Sequence, residues 1–152
     1  MIRLTLLVCA LLLPMLGACS PYQLQGRVVK GPASFIQVVD ADDPRLSDEG
    51  LGGARVSVMM DPESLGRRDL GSGLSGVDGD FAIPIDEVGA GLFEYEIGVQ
   101  ARMSGRHAAV TFIRMPPSGK RLLIMLAPGK DAPDMDDPFE GEDLYGEYER
   151  YR

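Results

Sequence analysis

The residues best suited to catalysis are few in this sequence. His107 is its single histidine, and it follows a Ser104-Gly105 turn, so a hydrolase-type zinc site with two or three imidazoles cannot form. A serine-hydrolase triad would need His107 as its base, but no Gly-x-Ser-x-Gly elbow leads into a helical pattern. We therefore predict no catalytic residues and no enzyme. A cleft gathering His107 with a carboxylate and a hydroxyl would revive the enzymatic alternative.

Two groups of aspartates could offer oxygen ligands to calcium. Asp40, Asp42 and Asp43 form one group, and Asp78 and Asp80 form the other. Calcium favours such carboxylates, but neither group has the order of an EF-hand loop or its distant glutamate. Aspartate is also common in turns, because its side chain accepts hydrogen bonds from nearby backbone. We predict turn-forming aspartates, no metal site and no cofactor.

The third candidate is the thiol of Cys19. Arg3 precedes an apolar stretch at residues 4–16, which is too short for the roughly 20 residues of a transmembrane helix and fits a signal peptide. The sequence Leu16-Gly17-Ala18-Cys19 resembles the bacterial lipobox. That resemblance implies lipid attachment at Cys19 and cleavage before it. The alternative is an ordinary signal peptide cut elsewhere, with Cys19 left as a free thiol.

Lipid attachment at Cys19 would tether the mature chain to a membrane without spanning it, since two or three acyl chains anchor stably where one does not. Ser20 follows the cysteine, where resemblance to enterobacterial lipoproteins implies that Asp would favour inner-membrane retention. We therefore expect a lipid-anchored protein of the bacterial cell envelope, in the outer membrane rather than the inner one, facing the periplasm or the cell surface.

Chain length and charge limit the remaining possibilities. Without residues 1–18, and with residues 19–23 as a tether, one compact domain is expected. Cys9 lies in the signal segment, so no disulfide is expected in that domain. Residues 131–152 contain nine acidic and two basic side chains, a net charge of −7. A nucleic-acid partner is not expected, because phosphate binding needs a clustered positive surface.

The hydrophobic pattern predicts an all-β domain. Apolar residues alternate with a period of two, and no long stretch shows helical spacing. Pro84 is expected on an edge strand, the segments at 108–115 and 121–127 are expected to be central, and 93–103 is expected to be the longest strand. Residues 40–53 and 61–79 are interpreted as loops, the second with at most one helical turn at 62–65. The seven predicted strands are 24–29, 35–39, 54–60, 81–85, 93–103, 108–115 and 121–127.

Short motifs resemble the carboxypeptidase regulatory-like domain, a prealbumin-like sandwich related to transthyretin. They are Gly53-Ala54-Arg55-Val56-Ser57-Val58 and the later Asp78-Gly79-Asp80-Phe81 turn, together with Gly26-Arg27-Val28 and the closing segment at 122–128. The resemblance covers residues 24–129 and implies an antiparallel β-sandwich of about seven strands, with Phe81 between the sheets. Ser75-Gly76 stands where the family has Thr-Asp, and Gly105-Arg106 where many members have Gly-Tyr.

After Gly129 the sequence becomes rich in acidic residues, proline and glycine, which predicts a disordered tail at 130–152. Tyr145, Tyr148 and Tyr151 recur in it every three residues. The tail could be a solubilising extension, or its tyrosines could meet a partner on one face.

Taken together, these features predict a non-catalytic, membrane-anchored envelope lipoprotein that acts as an interaction or structural module, with a protein or glycan partner. Carbohydrate binding is the alternative. The chain has no tryptophan, the aromatic residue that sugar-binding platforms most often use.

Overall fold

A computed structural model describes residues 22–62, 66–91 and 95–129. These residues form eight β-strands in two four-stranded sheets. Sheet A has the order β2-β8-β1-β5, and sheet B has the order β4-β3-β6-β7. The strands are β1 (Tyr22–Lys30), β2 (Phe35–Asp40), β3 (Arg55–Met60), β4 (Arg68–Leu74), β5 (Asp80–Ile85), β6 (Glu96–Arg102), β7 (Ala109–Arg114) and β8 (Lys120–Leu126). The all-β prediction is confirmed.

The main hydrophobic core lies between the two sheets. Because side chains alternate along a strand, Val56 and Val58 of β3 point into this core together with Ala54, which precedes the strand. Met60 is buried as well, so the whole set is buried as the sequence predicts. Phe81 is also buried there, after the turn in which Gly79 has a φ of +87°. Gly26 faces the ring of Phe81, and a Cβ at Gly26 would lie 2.7 Å from Phe81 Cζ. The close approach of β1 to this ring therefore requires glycine.

One strand lies where the sequence predicts a loop. Strand β4 (Arg68–Leu74) falls inside the segment 61–79 and pairs with β3, with a bulge between Val58 and Met59. Two of its inward positions carry Gly71 and Gly73, and Leu70, at the irregularity in register, is only partly buried against the core. A Cβ at Gly73 would lie 3.2 Å from Ile83 Cγ1. The strand packs its backbone against Ile83, so it shows none of the alternation that predicts a strand.

The pairing of the strands also corrects three predictions. The sandwich is not purely antiparallel, because β1 and β8 pair in parallel. Strand β8 is central as predicted, but β7 is an edge strand of sheet B. The predicted longest strand at 93–103 is wrong within the described residues, where β6 starts at Glu96 and β1 is longer. Pro84 lies on edge strand β5, as expected.

The long loop between β2 and β3, residues 41–54, folds over the outer face of sheet A, and we call it the covering loop. Its backbone pairs with β1, since Lys30 N donates to Glu49 O at 2.9 Å and Leu51 N donates to Val28 O at 2.8 Å. Its 3-10 turn Pro44–Ser47 places Leu46 over a second apolar cluster formed by Val29, Val39, Leu123, Phe35 and Met125. The apolar outer face of sheet A is thus covered by the protein's own chain.

The 3-10 turn is fixed at its start by an aspartate. Asp43 Oδ1 accepts a hydrogen bond from Arg45 N at 2.9 Å, and Arg45 Nη2 lies 2.8 Å from Asp43 Oδ2. The hydrogen bonds from the Arg45 side chain and backbone lower the pKa of Asp43 below its ordinary value. Asp43 is therefore a capping residue of the covering loop.

Candidate interaction surface

His107 lies at one end of the sandwich and links the two sheets through its backbone. His107 N donates to Ala127 O at 3.0 Å, and Ser34 Oγ donates to His107 O at 2.8 Å while accepting from Ala127 N at 3.0 Å. The imidazole is exposed and lies against Gly129. The backbone of His107 therefore has a structural role at this end of the sandwich.

Three of the five aspartates considered for calcium lie in separate ion pairs. Asp40 Oδ1 is 2.6 Å from Lys120 Nζ, Asp43 pairs with Arg45, and Asp80 Oδ1 is 3.8 Å from Arg27 Nη1. Within residues 22–62, 66–91 and 95–129, no three His, Cys, Asp or Glu side chains come together as a metal site. Cys19 and the tyrosines at 145, 148 and 151 lie outside the described residues.

The outer face of sheet B, which we call the open face, differs from the covered face of sheet A. Apolar side chains on it remain accessible, with exposed fractions of 55 % for Phe112, 42 % for Val110 and 62 % for Leu74. Phe112 lies opposite Gly98 on β6, and Met59 of β3 lies on the other side of the same glycine. Gly98 itself is buried between these two larger apolar residues. Val110 and Phe112 lie together on edge strand β7, whereas Leu74 lies on β4 at the opposite edge of the sheet. Exposed apolar residues that lie together on one face are typical of an interaction site.

Two arginines face each other at one end of the open face. Arg55 of β3 and Arg102 of β6 are direct partners in the antiparallel register. Like charges placed opposite each other on a sheet repel. With the Gln100 carboxamide oriented so that its oxygen faces Arg102, this oxygen accepts a hydrogen bond from Arg102 Nη2 at 2.7 Å. Gln100 is itself buried, and this hydrogen bond directs the Arg102 guanidinium along the open face toward Gln100.

The row that carries the arginine pair holds no carboxylate among the described residues. Leu74 is the partner of Arg55 on β4, and the next row along the face carries Ser72, Ser57, Gln100 and Val110. The acidic Glu96 lies at the far end of β6, opposite Arg114. The open face is therefore basic at one end and mixed in charge at the other, with Phe112 and Val110 between the two ends.

A depression of about 530 Å³ opens beside Phe112 at the mixed end. Its lining combines apolar and charged residues, namely Asp61, Pro62, Glu96, Ile97, Phe112, Ile113 and Arg114. A concave site with a few charged groups beside an exposed aromatic ring suits an anchoring side chain of a partner.

A second depression, of about 480 Å³, lies on sheet A beside the covering loop and includes Arg27, Leu46, Asp80 and Arg121 in its lining. Arg27 Nε is buried and has no hydrogen-bond partner among the described residues. Arg27 Nη2 makes only a 3.5 Å contact with Asp48 O. This site is smaller, and the loop already occupies the apolar part of its face, so the open face is the stronger candidate.

The comparisons with known proteins identify no family. No family model matches this chain, and no curated protein matches it. Among solved structures, a 9R-lipoxygenase from Cyanothece PCC8801 matches with 14 % identity over 75 % of this chain and a TM-score of 0.34. This chain spans only 15 % of that lipoxygenase. A match of this size carries no argument about fold or activity.

The described residues also contain no helix with the length and apolar character needed to cross a membrane.

The sequence prediction missed both parts of the open face. Arg55 and Arg102 lie 47 positions apart in the chain, and their juxtaposition depends on the β3–β6 register. The apolar residues Val110 and Phe112 led to the prediction that β7 is a central strand, but they are exposed on an edge strand. Their apolar character was the sequence signal for the open face, and the prediction took it as evidence of burial in the core.

Proposed function

We propose that this protein is a lipid-anchored component of the bacterial cell envelope whose β-sandwich binds a partner without catalysis. The observation that carries the binding role is the contrast between the two outer faces. The protein covers the apolar outer face of sheet A with its own loop, but leaves Phe112, Val110 and Leu74 accessible on sheet B beside two arginines.

The anchor and the fold family belong to the same proposal. The sequence Leu16-Gly17-Ala18-Cys19 supports lipid attachment at Cys19, outside the described residues. The carboxypeptidase regulatory-like identity is supported by the buried alternation of β3 and by the Gly79 turn that leads Phe81 into the core. Such domains accompany peptidases without carrying their zinc ligands, which agrees with a binding role.

The anchor is tested by fractionating cells that express the Cys19→Ser variant. We expect the wild-type protein in the membrane pellet after a high-salt wash, and the variant in the soluble fraction, because two or three acyl chains hold the mature protein at the membrane. A variant that stays with the washed membranes would refute lipid anchoring.

The binding surface is tested with the same unlipidated protein, so that the acyl chains cannot cause association. Purified Cys19→Ser protein is titrated onto washed envelopes at low salt, with and without the further change Phe112→Ser. Truncating an anchor in the centre of an interface costs about 2 kcal/mol or more, so binding should weaken by at least about 30-fold. Gln23→Ser, on the outer face of sheet A, is the matched control and should change nothing. An equal loss of envelope binding from Phe112→Ser and Gln23→Ser would refute the assignment of the open face as the binding surface.

Carbohydrate binding is the second candidate, favoured by the exposed ring of Phe112 on a sheet face that also carries the polar residues Ser57 and Ser72, on strands β3 and β4. Treating the envelopes with protease or with peptidoglycan- and glycan-degrading enzymes separates the two candidates. Loss of binding after protease treatment indicates a protein partner, and loss after glycan digestion indicates a carbohydrate.

A further inference from the structure

We propose that the short tether after Cys19 holds one end of the sandwich, which we call the anchor end, against the lipid surface of the membrane. The anchor end is formed by Tyr22, the loop 86–91 and the segment 115–119, where β1 begins. This inference rests on the proposed function, because it requires lipid attachment at Cys19. It adds to that function the orientation of the sandwich on the membrane.

Tyr22 is fixed in the sandwich at the very start of β1. It pairs with Ile85, and its hydroxyl donates to Pro116 O at 2.6 Å. Its ring packs on Gly91, where a Cβ would lie 2.5 Å from Tyr22 Cε2. The start of β1 cannot separate from the domain to lengthen the tether without losing all of these contacts.

The tether is too short to let the anchor end move far from the membrane. Only Ser20 and Pro21 separate Cys19 from Tyr22. Three residue steps span at most about 11 Å, since an extended chain covers up to roughly 3.6 Å per residue. With the acyl chains of Cys19 in the bilayer, the backbone of Tyr22 stays within about this distance of the lipid headgroups.

The tether also opposes an arrangement in which the open face lies on the lipid. Tyr22 belongs to sheet A, and packed sheets lie about 10 Å apart. The outward side chains of sheet B, such as Phe112, add roughly half of that spacing again, so Tyr22 would stand about 15 Å from the lipid. That distance exceeds the reach of the tether.

The outer face of sheet A is also a poor lipid contact, because the covering loop on it is highly charged. Laying this face on lipid would remove water from these charged groups. The anchor end instead exposes the apolar side chain of Val88, which is 85 % accessible, while the neighbouring Glu87 is paired with Arg68 at 3.0 Å. Contact at the level of the headgroups leaves Asp86 hydrated. The charged residues of the covering loop are Asp42, Asp43, Arg45, Asp48 and Glu49.

This orientation places the open face upright on the membrane. Met115 N donates to Tyr95 O at 2.7 Å, next to Pro116, so the mixed end of the open face lies at the anchor end. Arg102 is six residues further along β6 than Glu96, which is about 20 Å. The depression beside Phe112 is therefore nearest the lipid, and the arginine pair is farthest from it.

The test places one thiol in turn at three exposed valines of the full-length lipoprotein. The changes are Val88→Cys at the anchor end, Val77→Cys at the opposite end and Val110→Cys on the open face. The mature chain has no other free thiol, because Cys9 is in the signal segment and Cys19 carries the lipid. Each protein is labelled with a thiol-reactive fluorophore and reconstituted into vesicles of phosphatidylethanolamine and phosphatidylglycerol that contain lipids with a nitroxide quencher on the headgroup.

We expect quenching of the label at position 88 to exceed that at position 77 by at least about threefold, because the length of β5 alone separates them by roughly 20 Å. The label at position 110 should also be quenched less than the label at position 88. A flexible spacer of about ten Gly and Ser residues between Pro21 and Tyr22 should lower the quenching at position 88 to near the level at position 77, because the longer tether frees the anchor end.

Three results would overturn the inference. Equal quenching at positions 88 and 77 would bring the covering loop to the lipid, since a Cβ at Gly52 of that loop would lie 3.0 Å from Val77 Cα. Quenching at position 110 as strong as at position 88 would place the open face on the lipid. Quenching at position 88 that the spacer leaves unchanged would show that the tether does not hold this end.

Flotation of the same vesicles separates these outcomes from failure of the proposed function. If the wild-type protein floats with the vesicles and the Cys19→Ser variant does not, the anchor stands, and any of the three results shows that only the orientation is wrong. If the Cys19→Ser variant floats as the wild type does, lipid anchoring is wrong and this inference falls with it.

Discussion

Ser75 provides the sharpest test of the packing that holds the covering loop to sheet B. It is a buried polar residue in the turn after β4. Its hydroxyl donates to Leu51 O at 2.6 Å and accepts from Ala54 N at 2.9 Å. Replacing Ser75 by Ala removes both bonds at once and leaves a buried carbonyl and a buried amide without these partners.

The expected magnitude follows from those two groups. Each buried polar group left unsatisfied costs about 1–3 kcal/mol. Local relaxation recovers part of the loss, so we expect Ser75→Ala to lower the free energy of unfolding by about 2–4 kcal/mol. For a domain of this size, that corresponds to a fall in Tm of roughly 10–20 °C.

The assay is urea unfolding followed by the circular-dichroism signal of the strands. Because both native structures bury similar surface, the midpoint should shift while the slope stays unchanged. Ser72→Ala is the matched control, since Ser72 is exposed on the preceding strand β4, and its effect should stay within about 0.5 kcal/mol. A Ser75→Ala protein as stable as the Ser72→Ala protein would refute the hydrogen-bond argument.

Two further predictions concern the core and the covering loop. Gly26→Ala should destabilise the fold by about 3 kcal/mol or more in the same urea assay, because the new methyl group would meet the Phe81 ring and the backbone of β8; stability equal to wild type would contradict the packing. The Asp43 carboxyl should titrate below its ordinary pKa of about 3.9 in an NMR pH series. Its contribution to the stability of the fold should be fully present above about pH 3.9 and should be lost as the pH falls through the lowered pKa. Arg45→Gln should return the pKa of Asp43 toward 3.9, and an unchanged titration would show that Arg45 is not the cause.

The sequence predicts the core-facing strands well because burial of one face leaves a visible alternation. Strand β3 is the clearest case, since its inward residues meet the core and its outward residues do not. Strand β4 was not predicted from the sequence, because Gly71 and Gly73 stand at inward positions and pack against Ile83. A pattern of period two shows which face a residue occupies and does not show which strand lies beside it. The parallel pairing of β1 with β8 could therefore not be predicted.

The same limit explains why the candidate surface was not found from the sequence. Strand β8 is apolar on both faces because Leu46 of the covering loop packs on its outer side. Strand β7 has a similar pattern, but its outward Val110 and Phe112 are exposed. Only the sheet order separates a strand covered on both sides from an edge strand with an accessible apolar face.

The central claim is that the protein contacts its envelope partner through the open face of sheet B. Photo-cross-linking in living cells tests it most directly, with a benzophenone side chain in place of Phe112 or, as a control, in place of Gln23 on sheet A. The account predicts a discrete cross-linked product with an envelope component from position 112, and none from position 23. Cross-linking from position 23 alone, or no product from position 112, would contradict it.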